Sequence, residues 1–92
     1  MITRVEKIKR LLDASLAPSQ LEIIDDSQSH AGHAGARAGG GHFYATIVSN
    51  AFEGKTLVRR HQMVYEALGE MMRSDVHALS IKALTPTEFE RL

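Results

Sequence analysis

The sequence predicts an α/β (α+β) domain of order α-β-β-α-β-α, a three-stranded mixed sheet packed by helices. Three observations carry this. Two stretches, His42 to Ser49 and Val76 to Leu84, alternate side chains with the two-residue period of a strand. Between them, from about Thr56 to Met72, apolar positions recur every three to four residues, the period of a helix. The pattern Thr-x-x-Glu stands at Thr3–Glu6 and at Thr85–Glu88, where each end side chain can satisfy an otherwise unpaired backbone N–H at a helix start.

The first helix opens at Thr3 and buries Val5, Ile8, Leu12 and Leu16, with Leu11 alongside. Pro18 ends it, because the residue before a proline is pushed out of helical geometry. Leu21-Glu22-Ile23-Ile24 is a short strand closed by the turn formers Asp25-Asp26-Ser27. In the second strand Phe43, Ala45 and Ile47 point one way, and Tyr44, Thr46 and Val48 the other. Asn50 to Gly54 is a turn. The second helix presents Leu57, His61, Val64, Leu68 and Met71, with Val58, Tyr65 and Met72 widening the face. Leu57, Val64, Leu68 and the methionines are expected as core filling. The last strand places His77, Leu79, Ile81 and Ala83 on one side, and Pro86 sits at the first position of a short closing helix.

Strands one and two are expected to pair antiparallel. Strand two, the long helix and strand three form a β-α-β unit, which demands a parallel pair with a right-handed crossover. Parallel neighbours begin at the same sheet end, so His42 and His77 should start close together. Residues 27–41, Ser27-Gln28-Ser29-His30-Ala31-Gly32-His33-Ala34-Gly35-Ala36-Arg37-Ala38-Gly39-Gly40-Gly41, feed into His42 and carry two more imidazoles to that edge. So long a link with so little to pack is unusual in a compact domain and is usually functional or disordered.

The 92 residues allow one domain, 1–92, with residues 27–41 as its Gly/Ala/His-rich loop. A hydrophobic fraction of 43% and a charged fraction of 24% are those of an ordinary soluble protein. Zero formal net charge supplies no global attraction to nucleic acid or to an anionic membrane. No apolar run approaches the roughly 20 residues that span a bilayer. Glu6 and Asp13 argue against reading the basic N-terminal stretch as a transit peptide. With no export signal, the expected compartment is the cytoplasm. Cysteine is absent, which excludes disulfides, thiolate nucleophiles and a self-sufficient cysteine-ligated cluster.

His77, His33 and His30 are candidate metal ligands, because imidazole is the commonest metal-binding side chain. His42 is read as a solvent-facing strand residue that could serve as a further imidazole. His61 lies in the apolar stripe and is read as a buried, hydrogen-bonded core residue. Lys55, Arg59 and Arg60 gather at a helix start, where positive charge opposes the helix dipole and so hints at an anionic partner. The bland alternative is a solvated face balanced by Glu53, Glu66 and Glu70. No phosphate-binding loop or dinucleotide fingerprint is present. A Ser29–His77–Asp26 arrangement would lack an oxyanion hole and a substrate pocket, so no catalytic residue is expected and the chain is not read as an enzyme. Two or three imidazoles without cysteine fall short of a closed zinc site, which takes four ligands. The site is therefore read as incomplete, requiring a partner.

Val48-Ser49, Phe52-Glu53-Gly54-Lys55, Leu57, Arg60-His61, Val64-Tyr65, Val76-His77-Ala78-Leu79-Ser80-Ile81 and Thr85-Pro86 together resemble the BolA-like proteins over nearly the whole chain. The resemblance implies a class II KH-like fold and partnership with a monothiol glutaredoxin. The shared group would be a [2Fe–2S] cluster, with glutathione supplied through the glutaredoxin and no cofactor on the isolated chain. It implies a role in iron–sulfur cluster trafficking or assembly, or in iron regulation. The family's C-terminal histidine ligand corresponds to His77, and its second ligand comes from the loop, where His30 and His33 both match. The resemblance also implies an alternative, a DNA-binding transcriptional regulator using Lys55, Arg59 and Arg60. Against that stands the lack of the Gly-x-x-Gly clamp of nucleic-acid-binding KH domains. No membrane partner is expected, and the free chain is expected to be a monomer or weak homodimer.

Overall fold

A computed structural model describes residues 2–26 and 41–92. The first helix, α1 (Arg4–Leu16), is capped by Thr3, whose hydroxyl accepts the Glu6 N–H at 3.1 Å. Only this half of the expected capping box forms among the described hydrogen bonds. Ile8, Leu12 and Leu16 are buried, and Val5 and Leu11 pack against the same core. The helix ends one residue ahead of Pro18, at Ala17, whose φ of 44° is left-handed and whose N–H returns to the Asp13 carbonyl at 3.1 Å.

Strands β1 (Gln20–Asp25) and β2 (Gly41–Val48) pair antiparallel, with Leu21 opposite Ile47 and Ile23 opposite Ala45. A 3₁₀ turn, Asn50–Phe52, follows β2 and sends Phe52 fully into the core. Helix α2 (Leu57–Leu68) starts at the Thr56 cap, and a second 3₁₀ turn, Gly69–Arg73, leads to β3 (Val76–Leu84). Strand β3 lies parallel to β2, so the sheet order is β1-β2-β3, as the β-α-β argument requires. Helix α3 (Pro86–Glu90) closes the described chain with a complete Thr85/Glu88 capping box. Phe43, Ala45 and Ile47 of β2 meet Ile8 and Leu12 of α1 and Val64 and Leu68 of α2 in one apolar core. Among the described residues no helix is long and apolar enough to cross a membrane.

The structure corrects the sequence reading of α2. Its buried positions are Arg60, Val64 and Leu68, continued by Met71 and flanked by Met63 and Ala67. Leu57 and Val58, expected in the core or on its face, are 67% and 69% exposed, and Tyr65 is also exposed. The cause is Arg60, a charged side chain that takes a core-facing position because its head group is satisfied there. His61 is half-buried rather than buried, with no hydrogen bond among the described residues. The α-helix also stops short of Met72, because Gly69 adopts a φ of +52°.

The second correction concerns β3. Val76 lies opposite Gly41, yet Ala78 lies opposite His42, so His77 is an extra residue. This is a β-bulge. Val76 is buried and Leu79, three residues on, packs against the core. Simple alternation would place His77 with Leu79, Ile81 and Ala83; the bulge instead leaves it exposed.

Candidate metal centre

Two imidazoles meet at one end of the sheet. His42 is the second residue of β2 and half-buried, whereas His77, on the bulge of β3, is exposed. Their ring centroids are 5.2 Å apart with the planes tilted by 41°. Parallel pairing brings the strand starts together, and the bulge turns His77 off the core side. His42 thus lies on the outward face of β2, as expected, and its ring stands beside that of His77.

Backbone contacts fix the two strand starts. The Gly41 N–H donates to the Asp75 carbonyl at 3.0 Å, and the His42 carbonyl accepts the Asp26 N–H at 2.8 Å. The Asp75 carboxylate lies 3.3 Å from Lys7 Nζ and 3.8 Å from Arg4 Nε, which links this corner to the first turn of α1. Such exposed pairs are individually weak, so the main-chain bonds provide most of the positioning.

The pair has the spacing that one metal ion needs. A ring nitrogen about 2.1 Å from a tetrahedral first-row metal puts the ring centroid about 3.2 Å from it, so two such rings lie roughly 5 Å apart. Two neutral nitrogens do not complete a coordination sphere. Among the described residues no group of three or more His, Cys, Asp or Glu side chains stands where it could hold a metal. His30 and His33 lie outside the described residues. His61, on α2, is not part of the pair.

The basic cluster at the start of α2 divides. Arg60, read as a possible partner- or nucleic-acid contact, is buried. Its Nε donates to the Lys55 carbonyl at 3.0 Å and its Nη1 to the Ala83 carbonyl at 3.0 Å. Both terminal nitrogens reach the Glu88 carboxylate, at 2.6 and 3.2 Å. This fork, with the Thr85 N–H next in weight, holds the Glu88 carboxyl down from 4.5 to about 2. Arg59 is exposed and pairs with Glu66 at 3.2 Å, and Lys55 is exposed. The surface cations are thus Lys55 and Arg59, and Arg60 is structural. Its spacing, four before Val64 and eight before Leu68, is the sequence signal for an inward position.

A model of the BolA family, described as BolA-like protein, matches residues 12–88. The chain is 45% identical over 91 residues to the SufE-like protein 1, chloroplastic/mitochondrial, of Arabidopsis thaliana, covering 94% of this chain and 24% of that protein. It is 37% identical over 87 residues to the DNA-binding transcriptional regulator BolA of Escherichia coli, covering 95% of this chain and 80% of that protein. Against two further curated relatives, the Arabidopsis protein BOLA1 and the mouse BolA-like protein 1, it spans 55% and 58% of their lengths. The solved BolA domain of Arabidopsis SufE1 superimposes with a TM-score of 0.82 at 43% identity, over 96% of this chain and 98% of that domain. The antiparallel–parallel sheet, the helix order and the matched sequence agree: the chain belongs to the BolA-like proteins.

Proposed function

We propose that this chain is a non-catalytic adaptor that completes a [2Fe–2S] cluster shared with a monothiol glutaredoxin, and so serves cluster trafficking, assembly or iron regulation. The observation that supports this reading is the 5.2 Å pairing of His42 and His77 on a chain without cysteine. The pair offers two nitrogens, and the partner's thiolates would supply the rest. His77 is the fixed ligand of the proposal. His42 joins His33 and His30 as a candidate for the second nitrogen. Exchanging anionic thiolates for neutral imidazoles raises a cluster's reduction potential, which is the chemistry such ligation supplies. The chain's own part is to hold two rings at metal-binding separation on bonded strand starts.

Adding the protein to a cluster-loaded monothiol glutaredoxin should change its visible absorption and circular dichroism. His77→Ala should abolish the change. Comparison of His42→Ala, His33→Ala and His30→Ala then identifies the second ligand as the position whose loss has the same effect. A His77→Ala protein that alters the spectrum as wild type does overturns the assignment.

A second reading, a DNA-binding regulator, is favoured by the likeness to the DNA-binding transcriptional regulator BolA of Escherichia coli. Its contacts here would be Lys55 and Arg59, without Arg60. A duplex shift that weakens with salt and disappears in a Lys55→Glu/Arg59→Glu protein supports it, and no binding at low salt rejects it.

A further inference from the structure

We infer that the edge of β1 pairs with β1 of a second copy, antiparallel about a two-fold axis at Ile23, so that two three-stranded sheets become one. This does not rest on the cluster-sharing reading. A strand at the edge of a sheet leaves every second N–H and C=O without a ladder partner. The Asp26 N–H bonds the His42 carbonyl at 2.8 Å, which fixes the alternation along β1. Gln20, Glu22 and Ile24 therefore bond to β2, while Leu21, Ile23 and Asp25 turn their main chain away from it. Among the described residues no further main-chain bond reaches Leu21 or Ile23.

The other edge of the sheet is closed. Ala83 on β3 turns its carbonyl away from β2, and Arg60 Nη1 donates to it at 3.0 Å. Strand β1 has no such plug, and Gln20–Asp25 includes neither proline nor lysine, two of the usual guards of an edge. A cleft of about 350 Å3 lies there instead, lined by Lys9 of α1, by Leu21, Glu22 and Ile23 of β1, and by Phe89 of α3. Among the described residues Lys9 forms no ion pair. Main-chain donors and acceptors repeating at strand spacing are matched by another extended main chain.

The chain's own β1 fits this edge in one register. With the axis at Ile23, Leu21 faces Asp25 of the second copy, and the outward groups of all three residues pair, about six main-chain bonds. Asp25 shares the side of the strand that holds Leu21 and Ile23, which is the side on which α1 packs. Its carboxylate is thereby carried to the cleft that holds Lys9 of the other copy, and symmetry repeats the pairing. Glu22 meets Ile24. An axis at Glu22 would instead set that carboxylate against its own copy and make about four bonds. The two His42–His77 pairs fall at opposite ends of the joined sheet, outside the new contact. So short a contact belongs to the weak, transient class.

Sedimentation equilibrium of the wild-type chain should show a dimer whose share rises with concentration. Lys9 is exposed, so Lys9→Glu leaves the core intact, and it should weaken the dimer roughly tenfold because two exposed ion pairs become repulsions. The chain has no cysteine, so introduced thiols report alone. Glu22→Cys/Ile24→Cys puts each new thiol opposite its counterpart, with Cα atoms about 4.5 Å apart and within disulfide reach. Mild oxidation should convert this variant to a covalent dimer, and leave Glu22→Cys alone and Ile24→Cys alone monomeric under denaturing conditions. A wild-type chain that stays monomeric at every concentration overturns the inference. So does cross-linking through Glu22→Cys alone, which reports the other axis, or a dimer that Lys9→Glu leaves unchanged, which reports another face. His77→Ala should dimerise as wild type does, which keeps this result separate from the cluster test; loss of the dimer there moves the contact to the imidazole corner and overturns the inference.

Discussion

Arg60 grips Glu88 through both of its terminal nitrogens, at 2.6 and 3.2 Å, and so joins α2 to α3 across the end of β3. Fork-on-fork pairing of this kind is directional as well as strong. Arg60→Ala would leave the Lys55 and Ala83 carbonyls without their donor and a void under Phe52, whose ring centre lies 6.0 Å from the guanidinium. The expected loss in urea unfolding is about 2–3 kcal/mol, below the fully buried range because Glu88 retains access to water.

The same pair sets an acid limb of stability. The Glu88 carboxyl titrates lower in the folded chain, about 2, than its ordinary 4.5. Its contribution is therefore fully present above about pH 5 and is lost as pH falls through 4.5 towards 2. Glu88→Gln should flatten the stability profile in that window and leave its slope near neutrality unchanged. Unfolding curves at pH 7, 4.5 and 3 measure this.

Ser49 is a buried hydroxyl with two duties. It donates to the Leu16 carbonyl at 2.6 Å, satisfying the end of α1, and accepts the Ala51 N–H at 3.1 Å, starting the turn that carries Phe52 inward. Ser49→Ala strands both partners and should cost about 1–3 kcal/mol. Ser49→Thr should not reproduce that loss if its hydroxyl keeps the same bonds, which denaturant midpoints distinguish.

Ala17 occupies left-handed backbone space in which a Cβ is unfavourable. The residue is exposed, so Ala17→Gly removes no packing. The variant should gain roughly 0.5–1 kcal/mol, the relief outweighing glycine's extra freedom in the unfolded chain. A lower thermal midpoint for the variant would contradict the helix-end geometry.

The roll of α2 is open to direct test. Leu57→Glu changes an exposed side chain and should shift stability by less than about 0.5 kcal/mol. Leu68→Ala opens the core and should cost about 2–5 kcal/mol. Equal costs at the two positions would restore the stripe that the sequence suggests.

What the sequence revealed followed from strong periodicities. The strand at Val76–Leu84 emerged with its correct ends and the β-α-β unit with its parallel pairing, and with them the meeting of His42 and His77. What it concealed were tertiary exceptions. Arg60 occupies a core position because three acceptors converge on it from β3, α3 and the residues before α2, and no local pattern reports their arrival. The inward place of Arg60 rolls Leu57 outward. The exposure of His77 was hidden because simple alternation places it on the core side, and a bulge is a property of the paired strands rather than of either one alone.

The unpaired residue in β3 makes the count of amino acids at this corner matter as much as their kinds. Delete Ala78, and ordinary pleating returns with His77 squarely opposite His42; delete His77, and the pair is gone. Alignment gaps at this point should therefore sort relatives by how the two rings are set against one another, staggered across a bulge or squarely opposed.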